Sequence, residues 1–174
     1  MWDVTIIGAG PAGLSAALTL NHLGVGVFLL DAHGYRGGMK RGGLPFDPRE
    51  VYHRMIETAD SVGIVPILGT ANKIIPLEES LLTTYQGGEA ESKCVIIACG
   101  GSDISRFSDV VELTPDRKAD VGEDCMTKTH GVFVCGDARA KPCRCFVTAV
   151  ADGAVAGTLA AGDMEPAIKE RDHR

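Results

Sequence analysis

The sequence predicts an α/β domain in three layers, organised around a parallel β-sheet. An apolar run at residues 4–7 leads through glycines into an alanine- and leucine-rich segment, and a second apolar run then ends at Asp31. This order is typical of a β-turn-α-β unit. Residues 93–101 and 131–137 contain two further apolar runs that lead into glycine. Continuous apolar runs of this kind indicate strands buried on both faces of a parallel sheet.

The first turn has the pattern GxGxxG and reads Gly8-Ala9-Gly10-Pro11-Ala12-Gly13. In this pattern Gly8 permits a tight turn, Gly10 lets the backbone approach a pyrophosphate, and Gly13 lets the helix pack closely on the strand. The helix start offers free N–H groups to phosphates, and Asp31 is placed to bond a ribose hydroxyl. The pattern predicts a dinucleotide-binding cradle; the alternative is a glycine-rich turn that binds nothing.

The middle of the chain alternates loops, a helix and short strands. The loop at residues 32–43 carries two glycine pairs, which suggest backbone passing tightly around a flat or charged group; the alternative is a flexible surface loop. Asp47 and Pro48 predict a helix start. We expect a short strand at residues 64–68 and a small β-meander at residues 72–85.

The last predicted helix covers residues 146–161, where small and apolar residues dominate. We expect Val147, Ala151, Ala154 and Val155 to share the face that packs on the sheet. In contrast, the pattern from residue 102 to residue 126 is weak and polar, and the charged residues 163–174 are expected to form a frayed tail.

Composition and charge exclude several classes of protein. The 174-residue chain has a formal net charge of −6, which argues against binding to nucleic acid or to a membrane surface. It has no apolar run of transmembrane length and no basic leader, so we expect a cytoplasmic protein. Its six cysteines are irregularly spaced and do not match a secreted disulfide framework, so we expect a reducing compartment with most of the thiols buried. Neither they nor the five histidines match an iron–sulfur or zinc pattern, so no metal site is predicted.

Three motifs together make the chain resemble a known family: the GxGxxG turn, Ala98-Cys99-Gly100 at one strand end and Gly136-Asp137 at another. They resemble the FAD domain of thioredoxin reductases and related pyridine nucleotide-disulfide oxidoreductases. The resemblance implies one Rossmann-like FAD-binding domain over residues 1–162. Its halves, residues 1–101 and 125–162, would be joined by the short linker 102–124 and followed by the tail 163–174.

The resemblance also implies FAD as the cofactor. The residues expected around it are Gly8, Gly10, Pro11, Ala12, Gly13, Asp31, Ala32, Gly38, Met39, Cys99, Gly100, Gly136, Asp137, Arg144, Cys145 and Phe146. In the family, the aspartate of the Gly-Asp motif holds the ribityl-phosphate region of the flavin, and Asp137 takes that place. The alternative role for Asp137 is to cap the last helix.

One departure from the family concerns the electron donor. Such reductases carry, between the two halves, a second domain that binds NADPH and contains a CxxC disulfide. Here only residues 102–126 separate the halves, and the chain has no second GxGxxG and no CxxC. Since one βαβ unit takes about thirty residues or more, we expect an external redox partner such as a ferredoxin, a flavoprotein or a thioredoxin-like protein. By analogy with the homodimeric reductases, a homo-oligomer is expected.

The other departure is Cys143-Arg144-Cys145, where relatives have Tyr-Arg-Gln. A helix start, an adjacent arginine and a nearby flavin all favour thiolate, and a strained CxC disulfide is easily reduced. We therefore predict that Cys143 and Cys145 are catalytic and form a redox-active disulfide; the alternative is two small residues that fill space.

These observations predict an FAD-dependent oxidoreductase or electron-transfer module with an external donor. The competing prediction is a non-catalytic flavin-binding subunit or sensor within a larger redox complex.

Overall fold

The computed structural model describes residues 1–35 and 45–164. Within these residues, seven strands and three α-helices follow one another in an α/β order. Their bounds are β1 (Trp2–Ile7), α1 (Pro11–His22), β2 (Val27–Asp31), α2 (Pro48–Ser61), β3 (Ile67–Leu68), β4 (Ala71–Pro76), β5 (Leu81–Tyr85), β6 (Gly88–Ile97), β7 (Val132–Val134) and α3 (Phe146–Gly162). None of the described helices is long and apolar enough to cross a membrane.

The sheet is mostly parallel, which confirms the predicted fold class. Strands β3, β2, β1 and β6 lie side by side in parallel, and β7 pairs in parallel with the carboxyl half of β6. Along the edge of β6 that pairs with β7, the amino half of β6 pairs with β5. Strand β5 runs antiparallel to β6 and also to its other neighbour, β4. The meander is therefore present, but β6 begins at Gly88 rather than at Lys93, because its polar first half is the third meander strand. The strand expected over residues 64–68 is shorter than predicted.

Helices α1 and α3 pack on each other over one face of the sheet. A Cβ atom at Gly153 would lie 2.1 Å from the Ala12 carbonyl oxygen, and one at Gly157 would lie 2.9 Å from that of Ala16. The predicted packing face of α3 is therefore wrong. Val147, Ala151 and Val155 are exposed and Ala154 is half-buried, because the glycines allow a closer helix–helix approach than the larger residues would.

The other face of the sheet is covered by the meander and by the segment between β6 and β7. That segment contributes five buried apolar residues to a second core: Ile104, Phe107, Val110, Val111 and Ala119. The interpretation of residues 102–124 as a polar linker is therefore wrong in one respect. The segment is irregular and so shows no periodicity in sequence, but its apolar residues complete the third layer.

Candidate cofactor-binding site

The carboxyl ends of β1, β2 and β6 and the start of α3 surround a cavity of about 650 Å³. Ligands of open α/β sheets bind at this edge, outside the carboxyl ends of the parallel strands. Eleven of the predicted site residues line the cavity: Gly8, Gly10, Pro11, Ala12, Asp31, Ala32, Cys99, Gly100, Asp137, Cys145 and Phe146. Gly38 and Met39 lie outside the described residues.

Each glycine of the first turn is needed for a different structural reason. Gly8 has a φ of +114°, and a Cβ there would lie 2.3 Å from the Ala98 carbonyl oxygen. A Cβ at Gly13 would lie 1.8 Å from the carbonyl oxygen of Gly8, so Gly13 serves packing and does not line the cavity. A Cβ at Gly10 would meet nothing within 4 Å. Gly10 therefore leaves open space at the start of α1, where a phosphate can approach the backbone.

Asp31 ties the first turn to the end of β2. Its Oδ2 accepts a hydrogen bond from the Ala9 N–H at 2.7 Å, and its Oδ1 accepts one from the His33 N–H at 2.7 Å. The side chain also lines the cavity. Each carboxylate oxygen retains acceptor capacity for a ligand hydroxyl, so the predicted contact with a ribose stays a prediction.

Asp137 places an unpaired acceptor at the cavity. Its Oδ1 is buried and has no hydrogen-bond partner among the described residues, and its nearest cation is the Lys141 Nζ at 3.9 Å. A buried acceptor normally has a donor, so the Asp137 carboxylate, which lines the cavity, suits a ligand that carries a hydroxyl. The alternative role as a helix cap is wrong, because the N-cap of α3 is Cys145. Gly136 does not line the cavity; a Cβ there would lie 2.8 Å from the Ala12 Cβ.

Asp152, on α3, was missed by the sequence prediction. Its side chain is buried and accepts hydrogen bonds from the Gly136 N–H, the Arg139 guanidinium and the Lys141 Nζ at 2.8–3.1 Å. Burial alone would raise the pKa of Asp152, but the bonds from Arg139 and Lys141 outweigh burial and hold that pKa below its ordinary value. The available signal was a single carboxylate within a helix otherwise made of small and apolar residues.

The two cysteines of the CxC segment lie close together but differ in environment. Cys143 is exposed, Cys145 lines the cavity, and the Cys143 Sγ donates to the Cys145 Sγ at 4.0 Å. Hydrogen bonds from the backbone and side chain of Thr148 hold the pKa of Cys145 below its ordinary value. The pKa of Cys143 is raised, because Cys143 donates to Cys145 and lies beside its charge. The direction of the pKa shift expected for both thiols thus holds for Cys145 and is reversed for Cys143, and the catalytic role of the pair stays a prediction.

Arg144 points away from the site. Its Nη2 lies 3.5 Å from the Asp116 Oδ2, and Arg144 does not line the cavity. The predicted contact of Arg144 with the cofactor therefore has no support from the cavity lining and stays a prediction. The guanidinium takes this direction because the carboxylate of Asp116, in the segment between β6 and β7, offers it an ion pair.

The remaining cysteines are less reactive than a free thiol. Burial raises the pKa of Cys94 to about 12 and that of Cys125 to about 11, and it raises the pKa of Cys135 well above its ordinary value. Cys99 lines the cavity, but burial raises its pKa to about 11. In the part of the chain that the structure describes, no three His, Cys, Asp or Glu side chains are grouped as metal ligands.

The cavity lining also includes residues that the sequence prediction did not select, among them His33, Thr70 and Arg106. Arg106 comes from the segment between β6 and β7, and its guanidinium lies 5.3 Å from the ring centre of Phe107. No motif marks these residues, because His33 and Thr70 lie in loops and Arg106 lies in a short 3-10 helix within an irregular segment, and the course of each depends on the packing around it.

Comparisons with known proteins also indicate a domain that binds FAD. A family model described as "FAD binding domain" matches residues 1–89. The PreT subunit of NAD-dependent dihydropyrimidine dehydrogenase from Escherichia coli O157:H7 is 32% identical over 110 residues, or 60% of this chain and 25% of that protein. The chain thus spans about a quarter of that relative's length.

Two solved structures show the same fold. Lactococcus lactis thioredoxin reductase matches with a TM-score of 0.81 at 17% identity, covering 93% of this chain and 98% of that chain. A ferredoxin-flavin thioredoxin reductase from Clostridium acetobutylicum matches with a TM-score of 0.80 at 13% identity, covering 95% and 98%. The resemblance to thioredoxin reductases is therefore confirmed.

Proposed function

This chain belongs to the FAD binding domain family, and on that premise we propose that it is a flavin-dependent redox module with an external electron donor. The described residues fit FAD. The open space at Gly10 admits a pyrophosphate beside the start of α1, and the Asp137 carboxylate, which lines the cavity and whose Oδ1 accepts no hydrogen bond from the described residues, suits a ribityl hydroxyl. Asp31 and Ala32 border the cavity at the end of β2, where a ribose would lie. Bound there, FAD supplies two-electron redox chemistry.

The observation that carries this proposal is the position of the cysteine pair. Cys145 lines the FAD cavity, and the exposed Cys143 has its Sγ 4.0 Å from that of Cys145. Because a disulfide bond is about 2.05 Å long, the two sulfurs must approach by about 2 Å to form one. Cys143 is exposed and has room to rotate towards Cys145. We assign the pair as a dithiol/disulfide couple between the cavity and the solvent.

The reaction with an acceptor is thiol–disulfide exchange. A sulfur of the reduced pair attacks the S–S bond of a thioredoxin-like partner, which forms a mixed disulfide and releases one partner thiol. The second sulfur of the pair then breaks the mixed disulfide. The products are the Cys143–Cys145 disulfide and a partner dithiol, and the two protons of the pair end on the partner sulfurs. The lowered pKa of Cys145 gives it a larger thiolate fraction than an ordinary thiol at the same pH, which supports this exchange.

An external donor is supported by the segment between β6 and β7. A nucleotide-binding βαβ unit takes about thirty residues or more, whereas the apolar residues of this segment are already used in the core of the sheet. Donors of low potential, such as a reduced ferredoxin or another flavoprotein, fit this arrangement. We further propose that the protein is cytoplasmic and forms a homo-oligomer.

A second candidate function is a non-catalytic flavin-binding subunit or sensor. It is favoured by the PreT relative, which is named as a subunit and of which this chain spans about a quarter. In that case the module would bind FAD, and its cysteines would only fill space beside α3.

Anaerobic stopped-flow mixing separates these functions. FAD-loaded protein is mixed with NADPH, with NADH and with a reduced ferredoxin, and the visible flavin absorbance is followed. We expect rapid bleaching with the reduced ferredoxin alone, followed by reoxidation when an oxidised thioredoxin-like protein is added. Rapid bleaching by NADPH would contradict the external donor. Bleaching without reoxidation, with a Cys143→Ser/Cys145→Ser variant that behaves like the wild type, would favour the subunit.

A further inference from the structure

Four charged side chains form a cluster between the cavity and α3: Asp137, Arg139, Lys141 and Asp152. The side chain of Lys141 is 5% exposed, that of Asp152 is 9% exposed and that of Arg139 is 12% exposed. Groups of this kind are rarely buried without an opposite charge, since removing a charge from water costs several kcal/mol. The contacts within the cluster show which charge serves which partner.

Arg139 is committed to Asp152. Its Nε donates to the Asp152 Oδ2 at 2.9 Å and its Nη2 donates to the Asp152 Oδ1 at 3.1 Å, so the guanidinium contacts both carboxylate oxygens. Its Nη1 donates to the Gly122 carbonyl oxygen. A two-point contact with an arginine is a strong carboxylate pairing. The negative charge of Asp152 is therefore already neutralised by Arg139, without the charge of Lys141.

Lys141 contacts both carboxylates. Its Nζ donates to the Asp152 Oδ2 at 2.8 Å and lies 3.9 Å from the Asp137 Oδ1. Since Arg139 already pairs with Asp152, the positive charge of Lys141 is available to Asp137. Asp152 fixes the position of the ammonium group through the shorter contact.

The Asp137 Oδ1 is the atom on which this arrangement converges. It is buried and accepts no hydrogen bond from the described residues, while the Asp137 side chain as a whole is 25% exposed and lines the cavity. At 3.9 Å, Lys141 provides charge but no hydrogen bond. The Asp137 carboxylate is thus held in place by charge, and its exposed part can accept a hydrogen bond from a ligand in the cavity.

We propose that Lys141 is a positioning residue for FAD: held by Asp152, it neutralises and orients the Asp137 carboxylate, which accepts a hydrogen bond from a hydroxyl of the cofactor. This inference rests on the FAD-binding part of the proposed function and is independent of the cysteine pair. It assigns Lys141 an effect on FAD affinity that operates through Asp137.

A double-mutant cycle tests this assignment. The dissociation constant of FAD is measured by equilibrium dialysis for the wild type, Lys141→Met, Asp137→Asn and the double variant. Lys141→Met should weaken binding roughly tenfold or more, because the Asp137 carboxylate loses the buried charge that neutralises and orients it. In the Asp137→Asn background, Lys141→Met should have almost no further effect, because the charge that it serves is gone. An equal loss in both backgrounds, or no loss in either, overturns the role of Lys141.

Two further variants separate charge from packing. Lys141→Arg keeps the charge and should bind FAD within a few-fold of the wild type, whereas Lys141→Gln can still bond Asp152 and should bind as weakly as Lys141→Met. If Lys141→Met does not fold, as judged by the melting temperature of the apoprotein, the cycle is run with Lys141→Gln. Lys128→Met, at an exposed lysine paired with Glu112, is the matched control and should leave FAD affinity unchanged.

The outcomes distinguish this inference from the proposed function. A wild type that takes up no FAD would contradict the redox module itself. A wild type that binds FAD, combined with additive losses in the cycle or with an Arg variant as weak as the Gln variant, would overturn only the role of Lys141.

Discussion

The two ends of the cavity are built by different physical means. At the turn between β1 and α1, backbone atoms approach so closely that a Cβ at Gly13 would lie 1.8 Å from a carbonyl oxygen. At the start of α3, the Cys143–Cys145 segment is held by hydrogen bonds of 3.1–3.2 Å to one threonine hydroxyl and by the sulfur–sulfur contact. The difference teaches that the first end tolerates almost no side chain at Gly8 or Gly13, whereas the second end can be adjusted in small steps.

The largest expected effect is at Gly13. Gly13→Ala places a methyl group against the Gly8 carbonyl, so α1 must move away from the sheet. We expect a loss of more than about 3 kcal/mol in the free energy of unfolding, at or above the upper range for overpacked sites. Urea denaturation of the apoprotein measures it. A loss below about 1 kcal/mol would show that the turn is softer than the contacts indicate.

Gly10→Ala is the matched comparison on the same turn. Gly10 has an extended backbone with a φ of −71°, and its missing Cβ faces open space, so the free energy of unfolding should change by less than about 0.5 kcal/mol. The added methyl group would occupy the approach of the pyrophosphate, so FAD affinity should fall roughly tenfold or more. Equilibrium dialysis with FAD checks this. Unchanged affinity would place the phosphates elsewhere in the cavity.

At the other end, the pH dependence of alkylation should separate the two cysteines. A thiolate forms as the pH rises through the pKa of its thiol, so a lowered pKa moves reaction to lower pH. We expect Cys145 in the reduced protein to react with a midpoint below that of an ordinary thiol, and Cys143 with a midpoint above it. Mass spectrometry after timed iodoacetamide labelling measures both sites. The reverse order would contradict the assignment of Cys145 as the thiolate.

The smallest expected effect is at Thr148. Thr148→Val removes the hydroxyl that contacts the Cys143 and Cys145 backbones, while its N–H still donates to the Cys145 Sγ. The alkylation midpoint of Cys145 should therefore rise part of the way to the ordinary value, with a stability cost of about 1 kcal/mol. Thr148→Ser keeps the hydroxyl and is the control. Equal alkylation midpoints of Cys145 in Thr148→Val and Thr148→Ser would show that the Thr148 hydroxyl does not lower the pKa of Cys145.

The same difference between the two ends of the cavity determines which features could be predicted from the sequence. The glycine turn and the buried strands follow local rules of φ angle, spacing and hydrophobicity, so Gly8, Gly13 and the order of β1, α1 and β2 were predicted correctly. The face of α3 was not, because a stripe of small residues at Gly153 and Gly157 outweighs valines when two helices can approach closely.

Site features that depend on contacts between residues far apart along the chain could not be predicted from the sequence either. Arg144 is expected at the cofactor because the resembled family has an arginine at this place, yet in the structure its guanidinium pairs with Asp116, which is far away in sequence. The charge cluster around Asp152 joins α3 to residues 136–141 and has no motif. Such pairings become visible only once the chain has folded around the sheet.

An anaerobic dithionite titration of the oxidised, FAD-loaded protein tests the central claim most directly, because it counts the electrons that each chain takes up. We predict about four electrons per FAD in the wild type, two for the flavin and two for the Cys143–Cys145 disulfide, and about two in the Cys143→Ser/Cys145→Ser variant. An uptake of about two electrons by both proteins would contradict the cysteine couple. A protein that remains colourless after incubation with FAD would contradict the cofactor site itself.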